Sequence, residues 1–125
     1  MEVQFLGCGD AFGSGGRFNT CFMVTGAETR FLIDCGASSM VAINRFGVDP
    51  NTIDCILLTH LHGDHFGGLP FFILHADHVS KRKTPLTIVG PRTTRERLMG
   101  AMESLFPGSS TKKTPFALDI QEYEV

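Results

Sequence analysis

The chain has no tryptophan, one tyrosine and no excess of basic residues. Its 11 lysine and arginine residues are outnumbered by 13 aspartate and glutamate residues, giving a formal net charge of −2. The strongly positive field that suggests a nucleic-acid-binding protein is therefore absent. No apolar run approaches membrane-spanning length, and Glu2 stands where a secretory signal would be basic. We therefore expect a cytoplasmic protein without a membrane span.

Cysteine pairs of the CxxC type are also missing. The four cysteines are Cys8, Cys21, Cys35 and Cys55, and several of them lie in apolar runs such as TCFMV and DCILLT. This spacing favours reduced, buried thiols over a disulfide framework or a cysteine zinc site.

The basic residues are distributed unevenly. Three of them lie in residues 1–80 and eight lie in residues 81–125, among them Arg82, Arg95, Arg97 and Lys112. Two interpretations stay open: solvated loop and helix faces, which we favour, or a shallow patch for an anionic substrate.

A length of 125 residues with 42% hydrophobic residues is consistent with one domain. Apolar alternation and β-branched or aromatic residues predict strands, and longer periodic segments predict helices. The predicted strands are residues 3–6, 21–25, 30–34, 55–59, 86–89 and 116–124; the predicted helices are 38–46, 69–79 and 94–106. Thr93 and Glu96 have the spacing of a capping box for the last helix.

The order β-β-β-α-β-α-β-α-β predicts a mixed sheet with helices packed on one face, in an α/β or α+β fold. The run CILLT is almost wholly apolar, as expected of a strand that is buried on both faces.

The stretch LLTHLHGDHFGGLP places three histidines and an aspartate within six residues. His60 and His62 point to the same side if the backbone there is extended. Gly63 allows a sharp turn that brings Asp64 and His65 to a second point nearby. We therefore predict two adjacent metal positions, whose nitrogen and oxygen ligands suit Zn²⁺ first, with Mn²⁺ or Fe²⁺ as alternatives. Loop histidines without a ligand role are the disfavoured alternative.

The pattern HLHGDH resembles the HxHxDH signature of the metallo-β-lactamase fold hydrolases. LIDCG at residues 32–36 is similar to the early aspartate motif of that family, and PLTIVGPRTTRERL at residues 85–98 resembles the ribonuclease Z branch. The resemblance implies an α+β fold, an αββα sandwich with its active site at one edge of two paired sheets.

The resemblance also implies roles for individual residues. His60 and His62 correspond to ligands of a first metal, Asp64 and His65 to ligands of a second, and Asp34 to a supporting residue that hydrogen-bonds near the ligand loop. The implied mechanism is hydrolysis by a water activated between two Zn²⁺ ions, with Asp64 also orienting that water or accepting its proton. The implied substrates are phosphodiesters or related esters, RNA among them.

The family pattern requires a further histidine, a bridging aspartate and another histidine well beyond the HxHxDH loop. The only later histidines, His75 and His78, come too soon and lie on a predicted helix, so packing or surface roles are favoured over substitute ligation, as they are for Asp77. We therefore expect residues 1–125 to be the N-terminal half of a longer hydrolase domain. Alone, this half should have weak or no activity. It should form a homo-oligomer or pair with the missing C-terminal half.

The glycine-rich segments near the N-terminus bear on alternative functions. FLGCGDAFG contains Gly7, Gly9 and Gly13 after a strand, but Phe12 replaces the third glycine of the dinucleotide-binding fingerprint, so that function is disfavoured. The loop GSGGRFNT lacks the Pro-Lys part of the ribonuclease Z loop, which favours a general metal-dependent phosphodiesterase. A non-catalytic metal-binding or scaffold domain of the same fold is the alternative function.

Overall fold

The computed structural model describes residues 1–124, and six strands form one sheet in which the strands lie in chain order. The strands are β1 (Glu2–Gly7), β2 (Cys21–Thr25), β3 (Arg30–Ile33), β4 (Cys55–Leu57), β5 (Leu86–Pro91) and β6 (Leu118–Tyr123). Strands β1 to β3 form an antiparallel meander, whereas β3 to β6 pair in parallel. The predicted mixed sheet is confirmed.

In residues 1–124 four helices lie between these strands: α1 (Ser39–Arg45), α2 (Gly63–Phe66), α3 (Leu69–His78) and α4 (Thr94–Leu105). Short 3₁₀ turns lie at Ser14–Gly16 and Pro50–Thr52. All three predicted helices and all six predicted strands are present with slightly different ends, while α2 was not predicted. Among residues 1–124, no helix combines the length and apolar character needed to cross a membrane.

One face of the sheet is buried under the helices. Paired residues on four neighbouring strands form a row across this face: Met23, Leu32, Ile56 and Ile88. They belong to the same buried cluster as Ile43 of α1, Phe72 of α3 and Leu98 of α4. Burial of this apolar surface is the main stabilising contribution to the described fold.

The opposite face of the sheet is also apolar but is not buried. Its central row contains Phe5, Phe22, Ile33, Leu57 and Val89, and each of these side chains is partly or fully exposed in the described part of the chain. Phe5 is 63% exposed, and its ring centroid lies 4.8 Å from that of Phe22. We call this row, with Val3 at its edge, the open sheet face.

The first loop of the chain does not support dinucleotide binding. That function requires a strand followed by a helix and a parallel strand, whereas β1 is followed by a 3₁₀ turn and by the antiparallel strand β2. Gly7 serves a different purpose, because a Cβ atom there would lie 2.0 Å from the carbonyl oxygen of Asn19. The glycine thus permits close packing of two backbone segments.

The predicted capping box at the start of α4 is wrong. Thr93 has a φ of 76° and its side chain makes no capping hydrogen bond. The carboxylate of Glu122 on β6 instead accepts hydrogen bonds from the backbone N–H groups of Thr93 (3.2 Å) and Arg95 (2.9 Å). A carboxylate at this position satisfies free N–H groups and favours the positive end of the helix.

The basic segment does not form a simple surface patch. Arg82 is only 1% exposed, and its guanidinium donates to the carbonyl oxygens of Pro50 (3.2 Å), Thr84 (2.8 Å) and Pro85 (2.7 Å). Lys112 lies 2.8 Å from the carboxylate of Asp77. For Arg82 both interpretations, a solvated face and an anionic-substrate patch, are therefore wrong, because this buried side chain stabilises the loop before β5.

Candidate metal centre

The candidate site lies where two neighbouring parallel strands end. Asp34 directly follows β3, and the ligand loop (residues 58–65) follows β4, which pairs with β3. The backbone N–H of Asp34 donates to the carbonyl oxygen of Leu57 at 2.7 Å, which extends the pairing to the last residue of β4. The carboxyl ends of parallel strands are a common location for ligand sites.

Asp34 is the buried anchor of the site. It is 1% exposed and has a φ of 65°, a conformation that aspartate adopts more readily than most residues. Its Oδ1 accepts a hydrogen bond from the backbone N–H of Thr59 at 2.8 Å, and its Oδ2 accepts one from the Thr59 hydroxyl at 2.8 Å. Oδ2 also lies 2.7 Å from Nδ1 of His65. One carboxylate thus contacts the beginning and the end of the ligand loop.

The three histidines of the loop lie side by side. The ring centroids of His60 and His62 are 4.9 Å apart, and those of His60 and His65 are 4.0 Å apart. Oδ2 of Asp64 lies 3.2 Å from Nε2 of His65. The structure therefore brings together all four residues that the sequence proposed as ligands, together with Asp34.

The hydrogen bonds of Asp34 assign the proton positions on two of these rings. An ionised carboxylate only accepts hydrogen bonds, so Nδ1 of His65 carries a proton. In the neutral ring Nε2 then holds the lone pair that a metal needs, whereas in the protonated ring Nε2 also carries a proton and pairs with Asp64 at 3.2 Å. The Thr59 hydroxyl has one proton, which it donates to Asp34; Nδ1 of His60, 3.0 Å away, then donates to that hydroxyl oxygen. Nε2 of His60 is therefore the nitrogen available to a metal. Supporting residues commonly orient histidine ligands in this way, by accepting a hydrogen bond from the other ring nitrogen.

The contact between Asp64 and His65 is suited to a divalent cation. Two donors that bind one tetrahedral zinc ion at 2.0–2.1 Å are about 3.3 Å apart, close to the 3.2 Å found here. When the His65 ring is neutral both atoms present lone pairs, and a divalent cation between them would take the place of a proton on Nε2. Within residues 1–124, however, no three His, Cys, Asp or Glu side chains are arranged around one ion position. The described residues therefore offer each proposed cation a pair of ligands and not a complete coordination shell.

Two glycines permit the LIDCG segment and the ligand loop to touch. A Cβ atom on Gly36 would lie 2.0 Å from the carbonyl oxygen of Asp64, and one on Gly68 would lie 2.1 Å from the carbonyl oxygen of Gly36. Cys35 N–H donates to the carbonyl oxygen of His65 at 2.8 Å. These backbone contacts fix the loop against the segment that carries Asp34.

The role predicted for Gly63 is wrong. Gly63 does not have a positive φ; it begins the short helix α2, and a Cβ atom there would meet nothing within 4 Å. His62, before it, is extended, with φ −78° and ψ 153°. The chain therefore turns by starting a helix, and this helical turn places Asp64 and His65 beside each other.

The buried thiols near Asp34 are not suited to compete as ligands. Burial raises the pKa of Cys21 to about 12 and the pKa of Cys35 well above its usual range, and the negative charge of Asp34 raises both further. Both cysteines are free. Metals bind the thiolate, so protonated thiols leave the imidazoles and Asp64 as the donors.

The later histidines lie at the other end of a helix. His75 and His78 line a groove of about 650 Å³ beside Val79, Phe106 and the following loop. A helix rises about 1.5 Å per residue, so His78 lies roughly 14 Å along α3 from the helix start, which is the end nearer the ligand loop. Nε2 of His78 lies 3.5 Å from Nζ of Lys112, and Asp77 pairs with the same lysine. This placement favours the predicted surface or packing roles for His75, Asp77 and His78 over substitute ligation.

Sequence reasoning missed three residues that contact the ligand loop. Thr59 links Asp34 to His60, the hydroxyl of Tyr123 donates to the carbonyl oxygen of Leu58 at 2.7 Å, and Arg97 donates to the carbonyl oxygen of Leu61 at 3.3 Å. Thr59 could have been noticed as the polar residue between CILL and the first histidine. Arg97 and Tyr123 carry no local signal.

The model of the family described as Anti-Pycsar protein Apyc1 matches residues 1–117. The chain belongs to this family. Ribonuclease Z of Alkaliphilus oremlandii is 31% identical over 122 residues, an alignment that covers 98% of the chain and 36% of that enzyme. The ribonuclease Z-like assignment made from the motifs is therefore confirmed.

Solved structures share the fold. The short form of human tRNase Z superposes with a TM-score of 0.81 and is 31% identical, covering all of the chain and 46% of that protein. The metallo-β-lactamase fold protein YhfI of Bacillus subtilis (TM-score 0.67, 22% identity, 96% of the chain and 46% of that chain) shows the fold alone. So does Zn²⁺-bound PqqB of Methylobacterium extorquens (TM-score 0.63, 15% identity, 100% and 46%). The chain thus has the metallo-β-lactamase fold and spans less than half the length of each of these proteins.

Proposed function

We propose that this chain is the N-terminal half of a hydrolase domain that cleaves phosphodiesters or related esters with two divalent cations. In this proposal His60 and His62 bind one cation, Asp64 and His65 bind the other, and Asp34 orients the loop. The observation that supports it most directly is the 3.2 Å separation of Oδ2 of Asp64 and Nε2 of His65, with the ring held by Asp34.

Each residue has a defined task in the proposed reaction. Asp34 keeps a proton on Nδ1 of His65 directly and on Nδ1 of His60 through Thr59, so that the Nε2 atom of each ring is the one left to bind a cation. Bound divalent cations would supply a water that is nucleophilic at neutral pH and would offset negative charge on the ester. Asp64 orients that water or accepts its proton. Zn²⁺ is the preferred metal because the donors are imidazole nitrogen and carboxylate oxygen.

Completion of the site requires donors that residues 1–124 do not bring to it. A zinc site needs about four donors, and here each proposed metal has two. The 36–46% coverage of relatives and the apolar open sheet face support a longer domain in which a second layer covers that face. In its absence we propose that copies of the chain associate through the open sheet face, because exposed apolar patches of this kind mark interaction surfaces.

RNA is a candidate substrate because the similar proteins named ribonuclease Z and tRNase Z act on RNA by name. All candidate substrates of this kind contain a phosphodiester. Divalent cations would offset the negative charge that develops on it during hydrolysis. The cytoplasmic location expected from the sequence stays a prediction.

Hydrolysis of bis-p-nitrophenyl phosphate by the protein that carries the complete domain tests this function. The protein is stripped with a chelator, and turnover is measured before and after Zn²⁺ or Mn²⁺ is restored. We expect activity to disappear on stripping and to return with metal. Full activity after stripping would contradict the proposal. Tight metal binding without hydrolysis of any ester would support the non-catalytic alternative.

A further inference from the structure

The single tyrosine of the chain, Tyr123, contacts the beginning of the ligand loop from the far side of the sheet. Its hydroxyl donates a hydrogen bond to the carbonyl oxygen of Leu58 at 2.7 Å, although the two residues are 65 positions apart. Leu58 lies just beyond the end of β4 and two residues before His60. Its N–H donates to the carbonyl oxygen of Val89 at 2.8 Å. Both backbone polar groups of Leu58 are therefore held.

A second contact holds the middle of the loop. The guanidinium of Arg97 on α4 donates to the carbonyl oxygen of Leu61 at 3.3 Å and lies 5.8 Å from the centroid of the Phe66 ring. Ile120 of β6 is buried on the helix side of the sheet, so Tyr123, three residues later, extends from the opposite side. The loop carbonyls are thus held from both sides of the sheet, independently of the contacts that Asp34 makes.

We propose that Tyr123 is a positioning residue for the ligand loop: its hydroxyl fixes the backbone direction from which His60 and His62 reach their metal. This inference rests on the proposed function. A hydrogen bond to Leu58 restricts rotation of the backbone that leads to Thr59 and His60, and metal donors must be held to a few tenths of an ångström. Without the hydroxyl, the carbonyl oxygen of Leu58 would bond to water, and the side chains of His60 and His62 would be held less precisely toward their metal.

The hydroxyl is not required to hold β6 in the sheet. Six residue pairs align β6 with β5, and Glu122 caps α4 from the same strand. Tyr123→Phe keeps the ring and removes only the donor. Thr114→Val is a matched control, because the Thr114 hydroxyl donates to the carbonyl oxygen of Phe116 at 2.6 Å in the segment that leads into β6.

The test uses the protein with the complete domain and Co²⁺ alone as the probe. The dissociation constant is measured by competition with a chelator, and the visible absorption spectrum reports the coordination geometry. For Tyr123→Phe we expect affinity about 10-fold weaker and a changed spectrum, in line with other residues that support metal ligands. For Thr114→Val we expect both to match the parent.

A Tyr123→Phe variant with parental affinity and spectrum would overturn the inference, and so would equal losses in Tyr123→Phe and Thr114→Val. If Tyr123→Phe does not fold, Tyr123→Leu provides the same test, since it also removes the hydroxyl that donates to Leu58 and keeps an apolar side chain. A parent protein that binds no Co²⁺ would instead reject the proposed function itself. Parental binding with an unaffected variant rejects only the role of the tyrosine.

Discussion

Nδ1 of His65 lies 2.7 Å from Oδ2 of Asp34, 31 positions earlier in the chain. This contact joins the segment after β3 to the end of the ligand loop. Because Asp34 also accepts two hydrogen bonds from Thr59, one buried carboxylate sets the geometry of a loop that contains four candidate ligands.

We predict that Asp34→Asn weakens metal binding by roughly 10- to 100-fold, because the amide cannot accept all three hydrogen bonds and His65 loses its fixed proton position. A buried donor left without a partner also costs about 1–3 kcal/mol of stability. Zn²⁺ competition titration and urea unfolding measure the two effects. Asp49→Asn is the control, since Asp49 accepts from Asn51 N–H in an exposed turn. Unchanged affinity in Asp34→Asn would contradict the assignment.

Thr59→Val should weaken metal binding roughly 10-fold, because His60 loses the acceptor that keeps the proton on Nδ1. Thr59→Ser retains the hydroxyl and should restore most of the affinity. Nitrogen chemical shifts of the His60 ring report the proton position directly: we expect Nδ1–H in the metal-free parent and a mixture of tautomers in Thr59→Val. Predominant Nε2–H in the metal-free parent would show that the assigned chain of hydrogen bonds is wrong.

Gly36→Ala should destabilise the protein by about 1–3 kcal/mol, because the new methyl group collides with the backbone of Asp64 and neither segment can move easily. Gly63→Ala is its matched partner, since a Cβ at Gly63 meets no atom within 4 Å. Its stability should stay within about 0.5 kcal/mol of the parent. Urea unfolding compares the two, and equal stabilities would contradict the close approach at Gly36.

The open sheet face predicts that the 125-residue chain associates with itself. Phe5→Ser should shift sedimentation toward the monomer, because Phe5 is 63% exposed on that face. Phe12→Ser should not, although Phe12 is 92% exposed, because it lies in the loop after β1. A chain that sediments as a compact monomer at all concentrations would refute self-association through this face.

The strands and helices could be predicted because their signals are local. The run CILLT, the alternation in β2 and β3 and the long apolar pattern of α3 each depend on neighbouring residues alone. The ligand loop was found for the same reason, since four donors fall within six residues. The short helix α2 could not be predicted, because four residues are too few to show a helical period in the sequence.

Contacts between distant positions could not be predicted. Glu122 caps α4 from 27 residues after Arg95, and Tyr123 reaches Leu58 across 65 residues. Arg82 resembled the other basic residues of its segment, but one of the carbonyl oxygens that accepts its hydrogen bonds belongs to Pro50, 32 positions earlier. Such partners become neighbours only through the order of strands in the sheet, which no local pattern specifies.

The central claim is that the histidines of the ligand loop, and not those of α3, bind divalent metal. The most direct measurement is the zinc content of the protein with the complete domain after equilibration with Zn²⁺ and removal of the excess, for a His60→Ala/His62→Ala variant and a His75→Ala/His78→Ala variant. We predict that the first variant loses zinc and that the second retains as much as the parent. Full zinc content in the first variant, or equal losses in both, would contradict the account.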